Sequence, residues 1–265
     1  MARGKARVNY LGRAGLVASQ DQPDWSFLYE ASTVKHPHYN IGDRVVLPDG
    51  RVFRYAKASG TVQTYKGQHF KKQIAIAYTT VLQAQAVGDK SLKIDAGAAA
   101  AVAEDELRGG YIVIYQSGDN HFQNRGIVGN TLADADGYTT IYLDGPLAVE
   151  LASGTTPVEV FHNPYAAINA CDGTYHQSVA GVPAIRATDG QYFWLQTWGF
   201  TWISPSDAGS GAVADERQLV FDSVGAVFVH VTGYTTKSYQ HAGFLVDATN
   251  PGTDSCPLIM LQISP

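Results

Sequence analysis

Along most of this chain apolar and polar residues alternate in short runs, each closed by Gly, Pro, Asn or Asp. A period of two sends successive side chains to opposite faces of a strand, so the pattern predicts β structure. Arg44 to Leu47 and Arg51 to Tyr55 flank Pro48-Asp49-Gly50. Proline presets φ and glycine accepts the positive φ of a tight turn, so the three stretches read as a hairpin. Further strands are expected at Ile74 to Val81, Ser91 to Asp95, Tyr111 to Tyr115, Tyr138 to Leu143 and Val158 to Phe161. Within Tyr138 to Leu143, Ile141 and Leu143 share one face, and Tyr138, Thr140 and Tyr142 share the other. Leu219 to Val231 supplies one or two strands, and Phe244 to Val246 and Leu258 to Ile263 end the chain. The last run is apolar on both faces, which predicts cover on both sides.

The most informative run is Tyr192 to Ile203. At period two, Tyr192, Trp194, Trp198, Phe200 and Trp202 fall on one face, interrupted only by Gln196, while Phe193, Leu195 and Ile203 fall on the other. Such a row predicts either the core of a β-sandwich or a subunit interface or stacking platform, with the core the better reading. One helix is expected, at Ala96 to Leu107, where alanines favour it. The acids Glu104, Asp105 and Glu106 oppose its dipole, so an extended stretch with a single turn at Ala103 to Leu107 competes with it. Residues 1–40 lack periodicity and carry isolated apolar side chains behind the basic residues Arg3, Lys5, Arg7 and Arg13. They read either as an extended arm that lies on a neighbour, with Arg3, Lys5, Arg7, Arg13, Trp25 and Phe27 as its contacts, or as a frayed terminus. The fold class is therefore mainly β: a sandwich or barrel-like body of about a dozen short strands over 41–265. A division into two subdomains would fall near 150–190.

Composition narrows the function. The chain has 265 residues, of which 45% are hydrophobic and 16% charged, with a net charge of −5. The charged share lies below the roughly 25% of an ordinary domain, which suits a surface covered in an assembly. A negative chain lacks the basic field that nucleic acid needs. No apolar run approaches the ~20 residues of a membrane helix. The basic N-terminus also lacks the apolar core of a signal peptide. Cys171 and Cys256 read as small core residues, not as a disulfide framework.

Candidate chemistry is thin. Asp207 to Gly211 superficially resembles the surroundings of a serine nucleophile, but it has neither the elbow pattern nor a histidine partner. His36-Pro37-His38 has no carboxylate following closely, and His121, His162, His176, His230 and His241 are scattered singles. Asp134 and Asp136 before Gly137 match part of a calcium loop, yet the later glutamate is missing and the pattern suits an ordinary turn. No catalytic, metal or cofactor site is expected, and the chain reads as a non-enzyme.

Several stretches together resemble the decoration (cement) or minor capsid proteins of tailed bacteriophages. They are Tyr39 to Gly60, containing Gly50-Arg51-Val52-Phe53-Arg54-Tyr55-Ala56-Lys57-Ala58, then Glu106 to Ile114, Arg125 to Asn130 and Leu143 to Leu147. Gly181-Val182-Pro183, Tyr192 to Gly199 and Pro257 to Ile263 complete the set. The likeness runs from about residue 39 to the end. It implies a non-enzymatic virion protein, made in the host cytoplasm, that binds the major capsid protein on the outer capsid surface, with a homotrimer as the usual state. No nucleic-acid or membrane partner comes with it. Two other readings stand beside it. One is a glycan-binding or host-attachment module in which Tyr65, Tyr138, Tyr142 or an exposed Trp stacks on sugars. The other is a hydrolase gathering two or more of His121, His162, His176 and Asp172.

Overall fold

The Pro48-Asp49-Gly50 turn forms as its residues dictate. Gly50 takes φ +87, Leu47 N–H donates to Arg51 O at 2.8 Å, and the Asp49 carboxylate accepts from Arg51 N–H at 3.0 Å. The computed structural model describes residues 8–10, 13–15, 25–71, 74–97, 102–116, 121–174, 177–206, 217–229, 239–247 and 258–265. They contain eighteen strands, and the fold is mainly β. In chain order these are β1 (Val8–Tyr10), β2 (Arg13–Gly15), β3 (Arg44–Val46), β4 (Val52–Lys57), β5 (Gln68–Phe70), β6 (Ile74–Thr80), β7 (Ser91–Asp95), β8 (Tyr111–Gln116) and β9 (His121–Asn130). There follow β10 (Tyr138–Leu143), β11 (Pro157–Phe161), β12 (Ile168–Ala170), β13 (Val179–Pro183), β14 (Tyr192–Trp202), β15 (Gln218–Phe221), β16 (Val227–Val229), β17 (His241–Asp247) and β18 (Leu258–Gln262).

The chain divides into two units, Met1–Lys71 with Tyr165–Pro265, and Lys72–Pro164. The sequence reading placed one division near 150–190. The structure adds a boundary at Lys71/Lys72, so the second unit is an insertion in the first. No Gly-, Pro- or Ser-rich linker marks that boundary, and the residues around it are Phe70, Lys71, Lys72 and Gln73.

The inserted unit is a six-stranded antiparallel sheet in the order β6-β11-β8-β9-β10-β7. It curls until its edges meet: Val81, just past β6, bridges Ile94 in β7, and Leu82 N–H donates to Lys93 O at 2.9 Å. Closure removes the unpaired edges that an open sheet would expose. Its core is aliphatic, with Leu92, Ile94, Ile112, Ile114, Ile141 and Val158 all fully buried. Thr139, Ile141 and Leu143 of β10 point inward, as their alternation requires. Entry and exit of the unit are themselves paired, Ile74 opposite Phe161. The expected helix at Ala96 to Leu107 is absent from its described residues. Residues 104–109 form turns, and Glu106 turns back to accept Ala103 N–H at 2.9 Å. The buried Asn130 amide holds this turn through Ala103 O and Leu107 N–H, both at 2.9 Å. Residues 98–101 lie outside the described residues.

The first unit carries a ten-stranded sheet in the order β12-β5-β13-β14-β18-β17-β15-β16, with β4 joined to β14 and β3 to β4. The β4–β14 ribbon is covered on both faces. Phe53, Tyr55 and Trp194 enter one cluster, whereas Ala56, Phe193 and Leu195 enter another. A third cluster gathers Ile203, Leu219, Leu245, Ile259 and Leu261.

Residues 25–40 of the expected arm pack on the first unit. A short 3-10 turn at Ser26–Tyr29 buries Leu28 completely, and Ser32 exchanges two backbone hydrogen bonds with Tyr192, at 2.9 and 2.7 Å. Trp25 and Phe27 pack, partly buried, against this unit's own core. The physical reason is Trp194, whose ring is boxed by Phe27, Tyr39 and Tyr55 at centroid distances of 5.6, 4.8 and 5.0 Å. Arg3, Lys5 and Arg7 lie outside the described residues, and Arg13 sits opposite Tyr10 in the β1–β2 hairpin.

All four tryptophans belong to the first unit, so their fluorescence reports that unit alone. Replacing residues 72–164 by a short Gly/Ser linker should leave the cooperative denaturant transition of that fluorescence intact. The excised 72–164 fragment should show its own cooperative loss of far-UV circular dichroism. A fragment that is unfolded at the start would contradict the closed, self-contained sheet.

Candidate binding surface and cleft

The row of aromatics in β14 does not stay on one face. Register against β4 shifts between Gln196 and Trp198, so one extra residue enters the strand there. A single inserted residue exchanges the faces of everything beyond it. Tyr192 and Trp194 therefore face the cluster with Tyr55, Tyr192 stacking on Tyr55 at 5.8 Å. Trp198, Phe200 and Trp202 form a second group. They lie opposite Gln262, Met260 and Leu258 of β18, and Met260 in turn lies opposite Phe244 of β17. Directly opposed residues share a face. The intervening row, Ile259 and Leu245, is buried in the core.

The outward side of β14-β18-β17 is thus apolar. Phe200 is 52% exposed, Leu258 44% and Phe244 41%. This corrects the expectation that Leu258 to Ile263 is covered on both sides: Ile259 and Leu261 are buried, while Leu258 faces solvent. The uncovered area is on the order of a few hundred Å², the scale at which an apolar patch marks an interaction site.

On the other flank of β14, toward β4, an open cleft of about 360 Å³ is lined by Tyr29, Arg51, Tyr65, Gln196, Phe200 and Trp202, with Ala184 and Thr201. Its shape is set by backbone. Gly199 adopts φ +97, and a Cβ there would meet Arg51 Cα at 2.9 Å. Beyond Trp198, where the β4 pairing stops, Gln196 donates its amide to the carbonyls of Trp198 and Phe200 at 3.1 and 3.0 Å. Tyr65 is held at φ +53, a left-handed conformation that costs a bulky residue about 1–3 kcal/mol. Its surroundings over-determine it. Tyr65 N–H donates to Pro183 O and Ser204 N–H donates to Tyr65 O, both at 2.8 Å. The fully buried Gln68 amide donates to the carbonyls of Gln63, Lys66 and Gly67 on the same loop. The Tyr65 ring meets Trp202 edge-on at 5.1 Å. Arg51 Nε holds Asp49 at 2.7 Å and its Nη1 donates to the Tyr29 hydroxyl at 3.2 Å.

The other candidates fall apart or lie elsewhere. His36 Nδ1 accepts His38 N–H at 3.2 Å and its ring packs on Tyr39. Burial, then the neighbouring His38, lowers its pKa. Asp134 closes a turn by accepting from Asp136 and Tyr138 N–H, with Gly137 at φ +84. Asp172 is held below the usual carboxylate range by the backbone N–H of Thr174. His162 is buried in the inserted unit. The side chains of His121, His176 and His230, and the whole of Asp207 to Gly211 and Cys256, lie outside the described residues. Among the described residues no group of three or more His, Cys, Asp or Glu side chains assembles as a metal would require. Tyr138 carries the Lys93 ammonium 5.1 Å from its ring centre, and Tyr142 stands exposed on the inserted unit. No family model, curated protein or solved structure matches the chain.

Two measurements test this geometry. Gly199→Ala must strain the backbone or push Arg51 away, and should cost about 1–3 kcal/mol in urea unfolding followed by tryptophan fluorescence. An unchanged midpoint would refute the close approach. Cys171 is 5% exposed, and burial, with Asp222 and Asp172 adding to it, pushes its thiol up to about 12. It should resist iodoacetamide at neutral to mildly alkaline pH until the protein is unfolded, read by mass on its peptide. In the unfolded chain the thiol ionises at its ordinary pKa. Its contribution to stability is therefore complete below that value and is lost as pH rises toward 12, a slope that Cys171→Ala should lack.

Proposed function

We propose that this chain is a non-enzymatic structural virion protein of a tailed bacteriophage, one that docks on the outer surface of the capsid shell and stabilises it, as a homotrimer. The observation that carries the reading is the uncovered apolar face of β14-β18-β17. A sheet that faces water on one side normally alternates to polar residues there. Here Phe200, Met260, Leu258 and Phe244 occupy those positions. A surface of that kind supports docking on other subunits, because the centre of a protein interface is apolar and depleted of charge. The low charge of the whole chain and the resemblance of its strand segments to cement proteins support the same reading.

Phe244→Glu combined with Leu258→Glu places two charges on this face without touching the core. Exposed substitutions leave stability within about 0.5 kcal/mol, so the circular dichroism spectrum should be unchanged. Occupancy on capsids assembled without the protein should fall at least about tenfold, and the mass in solution should shift from trimer toward monomer. Full capsid binding by the double variant would overturn the assignment of this face. Copies confined to a single vertex or to the tail would overturn the decoration role itself.

A further inference from the structure

The cleft toward β4 shares Phe200 and Trp202 with the edge of the apolar face, but its polar lining of Tyr29, Arg51 and Gln196 differs from that face. Three aromatic side chains, Tyr65, Phe200 and Trp202, supply wall area. Between them lie polar groups with capacity left over. Arg51 spends Nε on Asp49 and Nη1 on Tyr29, and its Nη2 has no protein partner among the described residues. The Tyr29 hydroxyl accepts that bond and keeps its own proton to donate. Gln196 spends its amide nitrogen on two strand carbonyls, leaving its side-chain oxygen as an acceptor.

The ligand that matches these features has one apolar face and a rim of hydroxyls. A pyranose ring is such an object: its C–H face packs on aromatic rings and its vicinal hydroxyls both donate and accept. Charge selects further. The Arg51 guanidinium is neutralised by Asp49 at 2.7 Å, and the chain as a whole carries −5. An acidic ligand would find no net positive field, so a neutral sugar is favoured. Volume agrees, since about 360 Å³ lies within the roughly 300–1,000 Å³ of small-molecule sites. The strained, fully tethered Tyr65 backbone adds preorganisation, because an outlier held by several hydrogen bonds keeps its ring in place before any ligand arrives.

We infer that the cleft formed by Tyr29, Arg51, Tyr65, Gln196 and Trp202 is a binding site for neutral carbohydrate, lying beside the face that the proposed function assigns to docking. The test uses the full-length chain with lactose, maltotriose and chitotriose, followed by tryptophan fluorescence and by saturation-transfer NMR. At least one sugar should give saturable binding with a change in tryptophan emission. Tyr65→Asn keeps a residue that tolerates the left-handed backbone but removes the ring. Arg51→Met keeps the side-chain stem but removes the donors. Each should weaken that sugar about tenfold or more, whereas Phe244→Glu on the docking face should leave it unchanged. If Tyr65→Asn fails to fold, Arg51→Met decides alone. Absence of saturable binding by all three sugars, equal binding by the folded variants, or selective capture of an acidic or proline-rich peptide by the cleft would overturn the inference. None of these results bears on capsid docking, which is read from Phe244 and Leu258.

Discussion

Where β4 pairs with β14, each face of the ribbon packs on its own core cluster. Phe53, Tyr55 and Trp194 fill one side of it, and Ala56, Phe193 and Leu195 fill the other. Burying each large apolar side chain is worth about 1.5–3 kcal/mol, and the ribbon does so on both faces at once. Everything else in the first unit hangs from it: β3 through the Gly50 turn, β13 and β18 along β14, and the Ser26–Tyr29 turn over Trp194. Small residues matter as much as large ones. Ala56 and Ala58 leave room on the side that Phe193 occupies, so large and small side chains interdigitate instead of clashing.

A ribbon buried on both faces cannot present a binding surface along its whole length. The irregular register after Gln196 resolves this conflict. Before it, the β14 aromatics serve the core; after it, they serve the outside. Gln196 sits at the change and its amide takes up two strand carbonyls where β4 no longer pairs. What reads in sequence as a blemish in an aromatic row is the residue that closes the hydrogen bonding at the fork. The apolar face toward β18 and the cleft toward β4 both begin there.

Much of the fold was legible because it rests on alternation and turn chemistry. The hairpin at Pro48-Asp49-Gly50 and the inward Ile141 and Leu143 follow from local pattern alone. What escaped was non-local. β9 was hidden by Gly126 and Gly129, which weaken any strand signal. Their reason is steric, since a Cβ at Gly126 would meet Asp144 and one at Gly129 would meet Asp105. The partly buried places of Trp25 and Phe27 depend on Trp194, far along the chain. Tyr65 could be named as a stacking residue, but its left-handed backbone and its partner Trp202 could not. The uncovered side of β18 was misread because an apolar residue carries no mark of whether a second layer lies over it.

The paired entry and exit of the inserted unit also bear on the order of folding. β5 and β12 pair across the whole of 72–164, a span whose ends would have to find one another by diffusion if it were still unfolded. Loop-closure entropy grows with the length of free chain, and each doubling adds about 0.6 kcal/mol. A closed inserted sheet, with Ile74 already beside Phe161, shortens that search to a few residues on either side. The insertion then acts as a clasp: once its own β6–β11 pair has closed, itself a long-range step, the two halves of the outer sheet are left with only a short search.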